Sequence, residues 1–211
     1  MLAARVYLTG HLPLSNGYET MIFAAWLSVL ITLVLRAKEF LFVGGLLISG
    51  IAMLVSYISG LNPMMTSLVP VLQSPLLTIH VSLIMLAYCL LAFIALNSMI
   101  ALILKFVTGN FNTQFEILSC KMLLIAVLLM GCGIFVGAIW ANNSWGRYWG
   151  WDPKEVWALI TFIIYGLALY GNNIQFFKRP AVFHTYLLLA FGSVLMTYLG
   201  VNIFLGGIHS Y

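Results

Sequence analysis

The chain has 211 residues, of which 63% are hydrophobic and only 7% are charged, whereas about 25% charged residues are usual in a soluble domain. This composition excludes a soluble globular domain. It also excludes a nucleic-acid reader, because the nine Lys and Arg residues are scattered instead of forming one basic stripe. Residues 40–104 and 180–211 contain no Asp, Glu, Lys or Arg. The sequence therefore predicts an all-α, polytopic membrane helical bundle.

About six transmembrane helices are predicted, because a helix needs about 20 apolar residues to cross about 30 Å of hydrocarbon. Two of the helix starts carry local signals. Asn16 and Glu19 have the spacing of a capping box, and Ser74 offers an N-cap before Pro75 at the first helical position. Cutting the chain at its polar segments gives spans at residues 17–36, 40–58, 76–104, 117–140, 155–176 and 181–205.

Basic residues predict the orientation of these spans, because connections rich in Lys and Arg stay in the cytoplasm. They lie between spans one and two, around the third connection and between spans five and six, at Arg36, Lys38, Lys105, Lys121, Lys178 and Arg179. Both termini are then expected to be extracytoplasmic. His11, His80, His209 and the Trp-rich loop 141–154 face outward, whereas His184 lies near the inner end of span six. We expect a single domain over residues 1–211, and whether it is the core of a longer protein stays open.

Small residues and cysteines inside the spans have simple structural interpretations. Gly133 and Gly137 form a small-xxx-small pair that lets another helix approach closely. Cys89, Cys120 and Cys132 are expected to behave as small apolar side chains. No CxxCH motif is present, so the chain is not itself a c-type cytochrome.

The loop around residues 140–157 holds five of the six tryptophans. An aromatic belt at the membrane surface is one interpretation, although belt residues are usually spread over many helix ends. Asp152, Pro153 and Glu155 predict a capped helix start. If residues 145–149 are helical, two Trp rings share a face and form a flat wall. Such a wall with the basic Arg147 suits a flat apolar ligand that carries anionic groups.

Histidines on the same predicted face supply ligands for a metal at the centre of such a molecule. Imidazole is a common axial ligand of haem iron, and two of them can hold the iron from opposite sides. His80 opens span three and His209 follows span six. Each alone is more simply explained as an interfacial hydrogen-bonding residue, so the hypothesis depends on their placement together.

The loop also carries a recognisable motif. It resembles the WWD motif of haem-handling proteins, and its context resembles the CcsA/ResC branch, the system II cytochrome c synthases. Further similar pieces are residues 10–19, 79–83, 200–202 and 207–211, so the resemblance covers essentially the whole chain. The stretch that resembles the motif reads Trp145-Gly146-Arg147-Tyr148-Trp149-Gly150-Trp151-Asp152-Pro153-Lys154-Glu155.

The resemblance implies a b-type haem, held non-covalently or transiently, with His80 and His209 as the axial ligands. It places Trp145, Trp149, Trp151 and Asp152 in the haem pocket. From its charge we expect Arg147 to pair with a haem propionate. The remaining candidates for haem contact are Tyr148, His11, His184 and Glu155.

The implied function is haem delivery in cytochrome c biogenesis, in which the haem vinyl groups form thioethers with the CxxCH thiols of apocytochrome c. The implied partners are haem, apocytochrome c, membrane lipid and a second membrane subunit of the CcsB/ResB type, with no nucleic acid. The expected location is a bacterial cytoplasmic or thylakoid membrane with the active face extracytoplasmic.

Three alternatives remain open at this stage. A CcmC-like protein would export or handle haem without ligation chemistry, so the assignment as a synthase, or haem lyase, component is unsettled. A dihaem electron-transfer membrane cytochrome would use His residues near both faces. A structural subunit with an aromatic belt would bind no haem.

Overall fold

The structure is a computed structural model that describes residues 2–10, 12–14, 16–34, 39–58, 73–171 and 174–205. Within these ranges it is helical and contains no strand, which confirms the all-α prediction. Seven α-helices follow one another, and the last one continues as a π-helical segment, Met196–Leu205. They are α1 (Leu2–Thr9), α2 (Gly17–Val34), α3 (Glu39–Ile58), α4 (Pro75–Thr108), α5 (Thr113–Trp145), α6 (Pro153–Leu169) and α7 (Pro180–Leu195).

Helices α2 to α7 correspond to the six predicted spans. Five of them are long and apolar enough to cross a membrane: α2, α3, α4, α5 and α7 with its continuation. Helix α6 has 17 residues, or about 26 Å of length, and ends at Leu169, short of the predicted 176. With 34 and 33 residues, α4 and α5 are each about 50 Å long. They therefore exceed the hydrocarbon thickness and tilt or project beyond it.

Helix α1 lies outside the predicted spans and is attached to α2 by a buried ion pair. Arg5 Nη1 lies 2.9 Å from Glu19 Oε1, and both side chains are almost fully buried. The Arg5 guanidinium also lies over the Tyr18 ring. The backbone N–H of Glu19 donates to Asn16 Oδ1 at 2.9 Å, which confirms Asn16 as a cap of α2. Glu19 therefore holds α1 through its carboxylate, and its backbone N–H completes the cap at the start of α2.

Helix α4 packs against α2, α3, α5 and α7. Its buried residues Leu91, Phe93 and Ile94 belong to one hydrophobic core with Leu123 and Leu187 of the neighbouring helices. As predicted, α4 begins at Ser74 and Pro75, although Ser74 uses its backbone carbonyl and not its hydroxyl. Because α4 contacts four other helices, its residues lie next to residues from several parts of the chain.

The two ends of the bundle differ in charge. Lys105 of α4 lies 4.7 Å from the centre of the Phe111 ring, and that ring stacks on His184 of α7. Lys178 and Arg179 immediately precede α7, so they belong to this same end. The other end, where α2, α4 and α6 begin, contains a cavity, and we refer to it as the cavity end.

Glycines set the spacing between helices at several contacts. A Cβ on Gly133 would lie 2.7 Å from Ile84 Cδ1, so α5 approaches α4 as closely as the small-xxx-small pair predicts. A Cβ on Gly45 of α3 would lie 2.5 Å from Thr32 Cγ2 and 3.1 Å from the Ser28 carbonyl oxygen of α2. The α2–α3 contact therefore depends on the missing side chain.

We expect Gly45→Ala to lower the free energy of unfolding by about 1–3 kcal/mol, because the added methyl group forces α2 and α3 apart. Gly50→Ala in the same helix is the matched control, since a Cβ there meets nothing within 4 Å. Both variants gain the same helix propensity. Unfolding measured in detergent should therefore separate them, and equal stabilities would contradict the close contact.

Candidate functional site

A cavity of about 600 Å³ opens at the cavity end of the bundle. Its size lies in the range typical of small-molecule and cofactor sites, about 300–1,000 Å³. Residues from α2, α4, α5, α6 and the π-helical segment line it, and so do Leu12 and Leu14 from the segment after α1. The side chains with chemical functions in its wall include His80, Tyr88, Trp140, Trp149, Lys154, Glu155 and Tyr198.

His80 lies in the second turn of α4, and its ring is held in one orientation. Its Nδ1 atom lies 2.7 Å from the Gly133 carbonyl oxygen of α5. A carbonyl only accepts hydrogen bonds, so Nδ1 carries the proton and donates. In the neutral imidazole, the lone pair is then on Nε2. This is the usual arrangement of a metal-binding histidine, whose second ring nitrogen donates to a backbone carbonyl or carboxylate.

Gly137 provides the space that the His80 ring occupies. A Cβ at this position would lie 2.6 Å from Nδ1 and 2.7 Å from Cε1 of the ring. The predicted glycine pair therefore has two roles at one contact. Gly133 brings the helices together and presents a carbonyl, and Gly137 leaves room for the imidazole.

The loop after α5 is not helical, so the predicted flat wall of Trp145 and Trp149 is wrong. Helix α5 ends at Trp145 because Gly146 adopts a left-handed conformation with φ 72° and donates its N–H to Asn142. Glycine takes this conformation without a steric penalty and commonly terminates helices. Trp149 therefore lies beyond the end of α5 and does not share a helix face with Trp145.

The aromatic rings of the loop form two perpendicular pairs. Trp140 and Trp145 have ring centroids 4.8 Å apart, and Trp149 and Trp151 have centroids 6.1 Å apart. Trp140 and Trp149 line the cavity, whereas Trp145 packs behind Trp140. Trp151 is 75% exposed and has a positive φ of 57°, which is uncommon for a bulky side chain.

The capping motif at the start of α6 is present as predicted, and it also holds the loop. Asp152 Oδ2 accepts from the Lys154 N–H at 3.2 Å, and Glu155 Oε2 accepts from the Asp152 N–H at 3.1 Å. The same Glu155 oxygen accepts from the Gly150 N–H at 2.8 Å. Asp152 itself is buried. The Glu155 carboxylate therefore fixes the backbone on both sides of Trp151.

Arg147 and Tyr148 lie on the surface of the loop. Tyr148 is 61% exposed, and the exposed Arg147 side chain folds over Gly150, where a Cβ would lie 3.2 Å from its Nε. Neither residue lines the cavity in the part of the chain that the structure describes. Lys154, which was not among the predicted haem contacts, does line it.

The other histidine candidates are separated from this cavity or lie outside the described residues. His11 and His209 belong to the latter group. His184 is completely buried at the opposite end of the bundle, where its Nδ1 lies 3.1 Å from Ser98 Oγ. Its ring stacks on Phe111 at 6.0 Å and meets Phe183 edge-on.

Hydroxyl groups that sequence analysis did not identify form part of the cavity wall. Thr20 Oγ1 lies 2.6 Å from Tyr198 Oη, which joins α2 to the π-helical segment. Thr197 Oγ1 lies 3.1 Å from Thr161 Oγ1 of α6. Thr20, Tyr88, Thr197 and Tyr198 all line the cavity. No local sequence signal marks these contacts, because they join residues far apart in the chain.

Comparison with known proteins gives a consistent result over nearly the whole chain. Residues 14–209 match the family model described as cytochrome C assembly protein. Protein NrfI of Wolinella succinogenes is 38% identical over 218 positions, which cover 100% of this chain and 24% of NrfI. The cytochrome c biogenesis protein CcsA of Chlamydomonas reinhardtii is 33% identical, covering 100% of this chain and 64% of that protein. CcsA of Marchantia polymorpha is 34% identical, covering 96% and 79%. The chain thus spans only part of each relative.

We expect Gly137→Ala to destabilise the protein by about 1–3 kcal/mol, because its methyl group collides with the His80 ring. In a His80→Ala background the same substitution should cost little, since the ring is gone. Unfolding of the four proteins in detergent measures this coupling. Gly166→Ala is the matched control, because a Cβ there meets nothing within 4 Å. An equal cost in both backgrounds would show that the collision is not with His80.

We expect Glu155→Ala to loosen the loop, because it removes the acceptor of two backbone N–H groups. A hydrogen bond to a charged group contributes about 1.5–3 kcal/mol, so amide hydrogen exchange across residues 146–152 should accelerate by roughly tenfold or more. Glu116→Ala, in the first turn of α5 at the opposite end, serves as the control. Unchanged exchange in the loop would rule out the clamp.

Proposed function

The chain belongs to the cytochrome C assembly protein family, and on this premise we propose that it is a haem-binding membrane protein of cytochrome c biogenesis. Haem is its substrate and lies in the cavity at the cavity end of the bundle. His80 binds the iron through Nε2, and the walls contributed by Trp140 and Trp149 enclose the macrocycle. The proposal is consistent with relatives whose names specify cytochrome c biogenesis.

The observation that carries this proposal is the position and orientation of the His80 ring. The 2.7 Å hydrogen bond to Gly133 leaves a nitrogen lone pair on the ring of a residue that lines the cavity. The absence of a side chain at Gly137 leaves the space that the His80 imidazole occupies. A cavity of about 600 Å³ with aromatic and aliphatic walls suits a flat, largely apolar molecule.

The second axial ligand in this proposal is His209, which follows from the resemblance of the chain's last residues to the family. Trp145 supports Trp140 from behind, and Asp152 fixes the helix start next to Trp151. Tyr148 contributes to the exposed side of the loop. Together these residues orient the macrocycle and exclude water from the side of His80.

Delivery of the haem to an apocytochrome completes the proposed function. Enclosure would hold the vinyl groups in one geometry against the CxxCH thiols, and such proximity accelerates a bimolecular reaction. The haem supplies its own electronics. A second membrane subunit of the CcsB/ResB type is a proposed partner, as the resemblance to the CcsA/ResC branch implies.

The proposed orientation places the cavity end outside the cytoplasm, with both termini on that side. It rests on Lys105, Lys178 and Arg179, which lie at the opposite end of the bundle, and on the preference of basic residues for the cytoplasm. The active face would then be that of a bacterial cytoplasmic or thylakoid membrane where cytochromes c are assembled.

Haem handling without ligation is the second candidate function. The same cavity and the same orientation of His80 would suit either ligation or handling. The dihaem cytochrome has less support. His184 packs against Ser98, Phe111 and Phe183, and it does not line the cavity that contains His80.

We expect the protein purified in detergent to bind haem with a low-spin spectrum, and His80→Ala to lose that spectrum together with at least tenfold in affinity, because an axial ligand is removed. Trp149→Ala should weaken binding by removing a wall. Trp26→Ala on α2, which is 49% exposed, is the matched control and should bind as the parent does. A low-spin spectrum that survives in His80→Ala would disprove the axial assignment.

The two candidate functions are separated by coexpression with an apocytochrome c. A covalent haem product that depends on His80 supports the synthase, whereas haem bound without covalent product in the complete assembly supports handling. The chain should be tested within the longer assembly as well as alone, since its relatives are longer.

A further inference from the structure

We propose that the chain from Arg5 to Glu19 is a strap across the cavity, and that opening the ion pair between these two residues lets the ligand enter and leave. The strap comprises most of α1, the segment after it and the start of α2, and the structure describes all of it except positions 11 and 15. Where the ligand is named as haem, the inference rests on the proposed function. The closure of the cavity itself does not.

The strap forms a thin part of the cavity wall. Gly10, Leu12 and Leu14 line the cavity. Leu12 is nevertheless 46% exposed, and Gly10 is exposed as well. The same residues therefore face the cavity on one side and the surroundings of the protein on the other. Displacement of this one segment would open the cavity without separating any of the packed helices.

Both ends of the strap are attached to a single residue. Arg5 Nη1 lies 2.9 Å from Glu19 Oε1, with the two side chains 8% and 2% exposed. Asn16 Oδ1 accepts the backbone N–H of Glu19 at 2.9 Å. The first contact uses the carboxylate of Glu19 and the second uses its backbone. The Arg5 end can therefore be released while the cap of α2 stays intact.

Helix α1 is docked in an unusual way for an apolar protein. Helices normally bury an apolar face, whereas Arg5 is the side chain of α1 that is buried among those that the structure describes. Tyr7 and Leu8 are 89% and 67% exposed. Contact with lipid accounts for the exposed apolar residues but not for the buried arginine. The docking of α1 therefore depends on an ion pair, which can break and re-form as a unit.

Gly10 is the point about which α1 can turn. It ends α1 with φ 71° and donates its N–H to the Val6 carbonyl oxygen at 2.9 Å. A Cβ at this position would meet nothing within 4 Å, so no neighbour blocks a rotation there. Residues 12–14, which follow, are not helical. Segments without regular hydrogen bonding open before packed helices do, and such lids commonly control access to a site.

The first experiment measures closure without any ligand. Met85 lines the cavity and is only 5% exposed, so a Met85→Cys probe reports access to the interior when Cys89, Cys120 and Cys132 are replaced by Ala. Arg5→Gln should speed its labelling by a water-soluble maleimide by roughly tenfold or more, because Glu19 then loses a buried charge partner. Arg5→Lys, which keeps the charge without the guanidinium fork, should label at an intermediate rate.

Two further variants provide the rescue and the control. The double variant Arg5→Glu with Glu19→Arg restores an opposite-charge pair at the same two positions and should return labelling toward the parent rate. Tyr7→Ala changes an exposed residue of the same helix and should label as the parent does. A rise in Tyr7→Ala equal to that in Arg5→Gln would show that any change in α1 disturbs the cavity, which overturns the role of the ion pair.

The second experiment measures haem exchange in the detergent-purified protein. Stopped-flow absorbance gives the association rate, and transfer of bound haem to excess apomyoglobin gives the release rate. Arg5→Gln should raise both rates by similar factors, so that the affinity changes less than either rate, and the double variant should reverse the effect. A purely structural role of the ion pair would instead speed release alone and weaken binding.

The outcomes separate this inference from the proposed function. Unchanged Met85→Cys labelling in Arg5→Gln overturns the strap, and so does faster haem release without faster association. If the parent protein binds no haem, the proposed function fails, and the labelling experiment still decides whether the strap closes the cavity. If labelling responds but neither haem rate does, the strap is not the route of the ligand and the inference is overturned.

Discussion

The hydrogen bond from His80 to the Gly133 carbonyl crosses the contact between the two longest helices of the bundle. It can form only because α4 and α5 approach closely, and they do so because Gly133 and Gly137 lack side chains. Helix packing thus decides which nitrogen of the ring carries the proton. In a membrane bundle small residues permit such close approach and polar side chains bridge between helices. The chemistry proposed for the cavity is in this sense a property of the packing.

Much of the architecture could be predicted from the sequence because lipid imposes simple length and polarity requirements. All six predicted spans are helices, and the glycine pair and the Asp152–Glu155 cap are found where predicted. Contacts such as Thr20 to Tyr198 could not be predicted, because they depend on how helices far apart in sequence are arranged. The course of the loop was missed for a local reason. Gly146 has a left-handed backbone and ends α5 before Trp149.

Charge in this protein is scarce, and the residues that carry it fix backbone segments as well as defining the site. Glu19 is buried against Arg5 and attaches α1, and Glu155 accepts from two backbone N–H groups of the loop. An ionised carboxylate is costly to bury unless it is paired or hydrogen-bonded. Each of these acids satisfies that condition at the cavity end. Leu12 and Leu14, which follow α1, consequently belong to the wall of the cavity.

The perpendicular contact between Trp149 and Trp151 has a consequence for the boundary of the cavity. Trp149 lines the interior, and Trp151, whose ring centre is 6.1 Å away, is 75% exposed. At this point the wall between the cavity and the protein surface consists of the Trp149 and Trp151 rings. A macromolecule docked on Trp151 would touch a ring that itself touches the ring beside the ligand. A ligand in the cavity and a macromolecule docked outside would therefore be linked through two aromatic rings in contact.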